Sequence, residues 1–177
     1  MTAPSLSIRP AVPGDLAAVA EIFAHYVADT VITFEQTPPT VAEWRRRFHD
    51  LTARELPFLV ADRSGELAGY AYAAPWRPKP AYRLTVENSI YLAPSLTGKG
   101  MGKALLGALV RHCGRAGLRQ MIAVIADTES SGASFALHER LGFAHAGRLT
   151  GVGSKHGRSI DTVLMQRQLP AGQEGPF

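Results

Sequence analysis

Apolar residues recur along this chain with two different periods. Leu6-Ser7-Ile8-Arg9 alternates and predicts an opening strand. Leu16, Val19, Phe23 and Val27 then recur at helical spacing, with Pro13 and Asp15 suited to a helix start. Thr40-Val41-Ala42-Glu43 has the form of a capping box and opens a second helix, with Val41, Trp44, Phe48 and Leu51 on one face. Two apolar runs, Leu56 to Ala61 and Leu67 to Ala74, flank a Ser64-Gly65 turn and predict a β-hairpin. Pro75, Pro78 and Pro80 mark a loop.

The stretch from Tyr82 to Leu92 reads as a strand with unlike faces. Leu84, Val86, Asn88, Ile90 and Leu92 are mostly aliphatic, whereas Arg83, Thr85, Glu87, Ser89 and Tyr91 are polar or amphipathic. Successive strand side chains point to opposite faces, so one face suits a core and the other a polar cleft. A glycine-rich turn follows, then a helix with Met101, Leu105, Leu109 and Cys113 on one face. Met121 to Ala126 reads as a strand and Gly132 to Leu141 as a helix stopped by Gly142. Ala144 to Val152 and Ile160 to Leu169 read as a closing pair of strands. The order β-α-α-β-β-β-α-β-α-β-β predicts an α+β fold, a mixed sheet flanked by about four helices. The expected organisation is a single domain over residues 1–170 with a loose tail over 171–177.

Composition narrows the function classes. Of 177 residues, 46% are hydrophobic, which suits one compact core. No apolar stretch is long enough to span a bilayer, and the N-terminus lacks a secretion-signal pattern. With Cys113 as the one cysteine, no internal disulfide can form. A cytoplasmic protein without membrane association is the expectation. The net charge of +4 suits an anionic ligand. Arg45-Arg46-Arg47 is the one basic run and reads as a solvated helix face, and no nucleic-acid partner is expected. None of the histidines is spaced like a metal site, so no metal is expected.

Thr97-Gly98-Lys99-Gly100-Met101-Gly102-Lys103 carries the clearest chemistry. Alternate glycines let the backbone turn tightly against a ligand, and the free N–H groups of the following helix make an anion site. Lys99 and Lys103 add charge, and a pyrophosphate is the guest that fits. The spacing is neither that of the Rossmann turn nor that of the phosphate loop of nucleotide triphosphatases.

In this context the turn resembles the pyrophosphate motif of the GNAT superfamily, with Thr97 where that family usually carries Gln or Arg. Ser131, Phe135, His138 and Leu141-Gly142-Phe143 resemble its later motif, Ser131 replacing the usual Asn. Within the superfamily the chain resembles the phosphinothricin and methionine sulfoximine N-acetyltransferases. The markers are Thr33-Phe34-Glu35, Pro75-Trp76-Arg77, Thr85-Val86-Glu87-Asn88-Ser89-Ile90-Tyr91, Leu137-His138-Glu139 and Lys155-His156-Gly157. The likeness runs from about Ile8 to about Leu169.

The resemblance implies a GNAT fold with a mostly antiparallel sheet, acetyl-CoA as acetyl donor, a small amino-acid-like acceptor and a homodimer. It places the cofactor on Ile90, Tyr91, Leu92, Gly98 to Lys103, Ser131 and His138, and the acceptor on Phe34, Arg77, Lys79, Tyr82, Glu87 and His156. An amine attacks a thioester only when neutral, so a base is required, and Glu87 on the polar strand face is the candidate. A main-chain N–H near Leu92 is the expected oxyanion donor. His138 either protonates the leaving thiolate or packs and hydrogen-bonds; His156 either contacts substrate, holds Glu87 or is structural. Ser159 replaces an aromatic residue that relatives carry, which leaves the pocket wall open. Three rival readings remain: a GNAT enzyme for a polyamine, antibiotic or protein amine, a non-catalytic acyl-CoA-binding module, and a nucleic-acid-binding protein.

Overall fold

The computed structural model describes residues 6–170, so the tail expected to be loose beyond Pro170 lies outside the described residues. In chain order the elements are β1 (Leu6–Pro10), α1 (Leu16–Asp29), α2 (Val41–Ala53), β2 (Phe58–Arg63), β3 (Glu66–Pro75), β4 (Thr85–Leu92), α3 (Met101–Arg115), β5 (Gln120–Asp127), α4 (Gly132–Arg140), β6 (Ala144–Lys155) and β7 (Arg158–Gln168). Seven strands form one sheet in the order β1-β2-β3-β4-β5-β7-β6. Every pair is antiparallel except β4 with β5.

The two faces of the sheet are covered differently. On one, Leu105, Leu106, Leu109 and Cys113 of α3 pack on Val86, Met121, Ala123 and Met165, all essentially buried. Burial pushes the Cys113 thiol up to about 12, as befits a core residue rather than a nucleophile. On the other face, Leu16, Val19, Phe23 and Val27 of α1 and Trp44 and Leu51 of α2 cover β2, β3 and β4. Trp44 meets Phe23 and Tyr70 edge-on, at 5.4 and 5.6 Å between ring centroids. Over β5 and β7 that same face carries no helix among the described residues; Val31, in the loop after α1, packs there on Ala126 and Ile160.

The capping box of α2 forms as the sequence predicts: Glu43 N–H donates to Thr40 Oγ1 at 3.2 Å, and Thr40 N–H donates to Glu43 Oε2 at 2.7 Å. Three expectations need correction. Strand β4 begins at Thr85, not Tyr82, because Pro80 opens a 3-10 turn in which Tyr82 and Arg83 bond back to Lys79 and Pro80. Its odd face is aromatic as much as polar: Tyr91 sits against Phe23, Tyr26 and Tyr70. The closing strands run further than expected, to Lys155 and from Arg158, leaving a two-residue turn in which His156 and Gly157 both have positive φ.

Gly69 of β3 lies opposite Leu92. A Cβ there would fall 2.6 Å from Leu92 Cδ2 and 2.8 Å from the Tyr91 main-chain oxygen. A flexible side-chain tip can yield, but the carbonyl cannot without moving β4. Gly69→Ala is therefore expected to lower stability by about 1–3 kcal/mol, read as a lower urea midpoint.

Candidate active site

Strands β4 and β5 bond only from Thr85/Gln120 to Glu87/Ile122. Beyond that point β5 stays with β7 as far as Asp127, while β4 stays with β3 as far as Leu92. The strands therefore part. Antiparallel ladder bonds alternate in direction from residue to residue. Ala93 N–H donates to the Ala68 oxygen and Trp76 N–H to the Thr85 oxygen, so odd-numbered β4 residues bond toward β3. The even-numbered main-chain groups, those of Ile90 and Leu92, consequently face the gap. Tyr26 Oη donates to the Leu92 oxygen at 2.6 Å, which leaves the Leu92 N–H directed at the opening.

A cleft of about 530 Å³ fills the gap. Its walls include Glu87, Asn88, Ser89, Ile90 and Tyr91 of β4, Ala123 to Ala126 of β5, Thr97, Ser131 and His138. At one end lies the glycine turn. Gly98 and Gly100 have φ of +76° and +78°, and neither has a neighbour within 4 Å of where a Cβ would lie. These two positions need glycine for their backbone conformation, and the open space around them leaves room for a ligand. Gly100 is the N-cap of α3 and contributes no capping side chain, so the first N–H groups of α3 remain available. Met101 is buried in the core and offers main chain only; Lys99 and Lys103 are exposed.

Behind the cleft, His138 is 2% exposed. Its Nδ1 lies 2.8 Å from the Ser134 oxygen and its Nε2 3.2 Å from Asn88 Oδ1. Asn88 Nδ2 donates to the Ile122 oxygen at 3.2 Å, which sets the amide orientation. Both ring nitrogens thus face acceptors, an arrangement fully satisfied only by the imidazolium. Burial lowers the pKa, partly offset by the Ser134 contact, and favours the neutral ring. The Ser131 hydroxyl is used within the β5–α4 turn: it donates to the Ala126 oxygen and accepts from Thr128 N–H.

A second cavity, about 250 Å³, shares Ile32, Glu87, Ser89, Tyr91, Val124 and Ala126 with the cleft. Phe34, Glu35, Arg47, Tyr72 and Thr162 complete much of its lining. Glu87 stands where the two spaces meet. Burial raises its pKa, and Arg77 acts in the opposite direction. Among the described residues its carboxylate forms no salt bridge. Arg77 itself is exposed and stacks over Trp76, 4.9 Å from the ring centroid. Lys79 and Tyr82 lie on the same exposed loop and line neither space. His156 lines different hollows, beside Arg158 and Lys155, and is not brought to Glu87.

A model of the acetyltransferase (GNAT) domain matches residues 8–164. The chain belongs to the GNAT acetyltransferase family. It is 46% identical over 166 residues to the phosphinothricin N-acetyltransferase of Alcaligenes faecalis, covering 94% of this chain and 84% of that one. With the L-methionine sulfoximine/L-methionine sulfone acetyltransferase of Pseudomonas aeruginosa it shares 39% identity over 174 residues, 97% of this chain and 99% of the relative. The crystal structure of a GNAT phosphinothricin acetyltransferase from Sinorhizobium meliloti in complex with AcCoA superposes with a TM-score of 0.89 at 46% identity, covering 97% and 92% of the two chains.

Two groups in this GNAT site escaped the sequence reading. Arg47 is not part of a solvated face: it donates to Glu35 at 2.6 Å, stacks over Trp44 and lines the smaller cavity. Its position after buried Trp44, on the edge of the apolar stripe, was the available signal. Thr162 gave none, because an alternating strand does not reveal what lies over it. For the glycine turn, Gly100→Ala forces a side chain into left-handed backbone at a cost of roughly 1–2 kcal/mol. The variant is expected to fold and to bind coenzyme A about tenfold more weakly by calorimetry.

Proposed function

We propose that this N-acetyltransferase moves an acetyl group from acetyl-CoA to the α-amino group of a small amino-acid analogue of the phosphinothricin, methionine sulfoximine or methionine sulfone type. Acetyl-CoA, the co-substrate, supplies an acetyl thioester. The residues around the larger cleft fit it: a glycine-shaped turn at a helix N-terminus for the diphosphate, and free main-chain N–H groups of Ile90 and Leu92 along the arm. The observation that carries the reading is the position of Glu87, at the junction of a cofactor-sized cleft and a smaller pocket sized for an amino acid.

Glu87 acts as general base in this reading. Its carboxylate takes a proton from the acceptor's ammonium, directly or through a water, and releases a neutral amine in the acceptor pocket. The N–H groups of Ile90 and Leu92 are the donors available to a developing oxyanion. Burial raises the pKa of Tyr26 and that of Tyr91, so both are phenols at neutral pH, and the Tyr26 proton is engaged by Leu92. His138, with its two ring nitrogens held by Ser134 and Asn88, fixes the back of the cleft, and giving a proton to a leaving thiolate would require it to break one of those contacts. Phe34 supplies an apolar wall for the acceptor, and Arg77, whose charge is felt by Glu87, is the cation of the exposed loop that can meet its carboxylate, whereas Lys79 and Tyr82 stand outside both spaces. His156 lines separate hollows and takes no part in this reading.

The same reading makes the protein a cytoplasmic homodimer that confers resistance to phosphinothricin-type herbicides. Support for pairing comes from β6, an edge strand exposed from Ala144 to Val152, with Leu149 46% and Val152 55% exposed.

Glu87→Gln should bind acetyl-CoA normally and lose kcat by roughly two or more decades; equal rates in variant and wild type remove Glu87 as base. Turnover of a peptide or aminoglycoside, with none of phosphinothricin, methionine sulfoximine or methionine sulfone, removes the acceptor assignment. The ionised carboxylate is the active form, so kcat falls as pH drops through the raised pKa of Glu87. Arg77 holds that pKa down, and Arg77→Gln should therefore move the acid limb of kcat, measured at saturating acceptor, to higher pH.

A further inference from the structure

Thr162 lies on β7, paired with Ala126 of β5, on the part of the sheet that no helix among the described residues covers. It is 3% exposed, and its hydroxyl has no hydrogen-bond partner among the described residues. It lines the same cavity as Glu87. A buried hydroxyl without a partner destabilises the fold that holds it, so such a group in a pocket signals a partner that arrives with a ligand. The cavity around it is mixed, with apolar Phe23, Ile32, Phe34, Val124 and Ala126 beside Thr33, Tyr72, Ser89 and Tyr91. The two charged groups there besides Glu87, Arg47 and Glu35, are bonded to each other.

The last hairpin also fixes the wall facing this hydroxyl. A Cβ on Gly153 would lie 2.3 Å from Phe34 Cζ, so the Phe34 ring rests on a bare backbone position of β6. Lys155, 4% exposed, donates from Nζ to the Thr33 oxygen at 3.0 Å. Loop residues 33 and 34 are thereby held on β6, the strand paired with the one that carries Thr162.

We propose that the Thr162 hydroxyl is a subsite of the acceptor pocket and donates a hydrogen bond to an oxygen at the tip of the acceptor's side chain. The ligand class is an amino acid whose side chain ends in a sulfone, sulfoximine or phosphinate oxygen. This inference rests on the reading that the acceptor's amine lies beside Glu87. A thioether sulfur accepts hydrogen bonds weakly and leaves the hydroxyl unpaired. A site built to bond a polar group discriminates against the analogue that lacks it.

Thr162→Val keeps the branched shape and removes the hydroxyl; Thr162→Ser keeps the hydroxyl. The comparison is kcat/KM for methionine sulfone against methionine, with acetyl-CoA saturating. Thr162→Val should lower the value for the sulfone by roughly tenfold and leave that for methionine unchanged, and Thr162→Ser should restore the difference. Free of ligand, Thr162→Val should melt higher than wild type by roughly 2–4 °C, because an unpaired buried hydroxyl has gone. An unchanged sulfone-to-methionine ratio overturns the subsite while leaving the acceptor assignment standing. Equal losses on both substrates with a lower melting temperature mark Thr162 as packing and overturn it likewise. Wild-type enzyme inactive on every amino acid overturns the acceptor assignment itself, and the subsite with it.

Discussion

Parallel pairing of β4 and β5 stops after Glu87 and Ile122, and the main-chain groups released there govern the site. A strand in mid-sheet normally bonds on both sides. Here β4 keeps β3 and loses β5, so alternate N–H groups open onto a cleft instead of a neighbour. Leaving such groups buried and unpaired would be costly. The fold keeps them beside a space large enough for a ligand, and the α3 N-terminus presents further free N–H groups at its end. On the proposed reading, cofactor recognition relies on backbone more than on side chains, which leaves Thr97 and Ser131 room to depart from the usual family residues. The Ser131 hydroxyl is engaged within its own turn in any case.

Strength for this interrupted sheet comes from either side of the gap. The aromatic cluster of Phe23, Trp44, Phe58, Tyr70 and Tyr91 fixes β4 against α1 and α2. Tyr26 extends the same cluster to the gap by bonding the Leu92 oxygen. Across the gap, β5 is held along its length by β7, and Asn88 reaches over to the Ile122 oxygen where the strands part. His138 meets that same Asn88 from α4, so the back of the cleft is tied to both strands. The smaller cavity is built otherwise. There the described residues place no helix over β5 and β7, and the loop after α1, pinned by Lys155 and seated on Gly153, serves as the wall.

Much of this was legible in the sequence because burial imposes a period. Leu16, Val19, Phe23 and Val27 are core residues as spaced, and so are Met101, Leu105, Leu109 and Cys113. The glycine turn was legible for a different reason: positive φ at Gly98 and Gly100 excludes other residues at low cost. Periodicity says that a face is buried but not what covers it. For that reason Glu87 and Tyr91 read alike as a polar or amphipathic face, although Glu87 opens on the cavities while Phe23 and Tyr26 of α1 pack on Tyr91. Arg47 was hidden by its charged neighbours, since Arg45 and Arg46 are exposed and only the third of the run turns inward. The early strand start at Tyr82 failed because Pro80 forces a 3-10 turn that alternation does not register. Contacts between distant segments, such as Phe34 with Gly153, leave no mark on either segment alone.

Amide hydrogen exchange resolved at single residues of β4, with and without acetyl-CoA, is the most direct measurement of the gap. Ser89 and Tyr91, bonded to β3, should be protected in both conditions. Ile90 and Leu92 should exchange quickly in the free protein and become protected when the cofactor binds. Protection of Ile90 and Leu92 in the free protein, or exchange that acetyl-CoA leaves unaltered, would contradict the assignment of these amides to the cofactor.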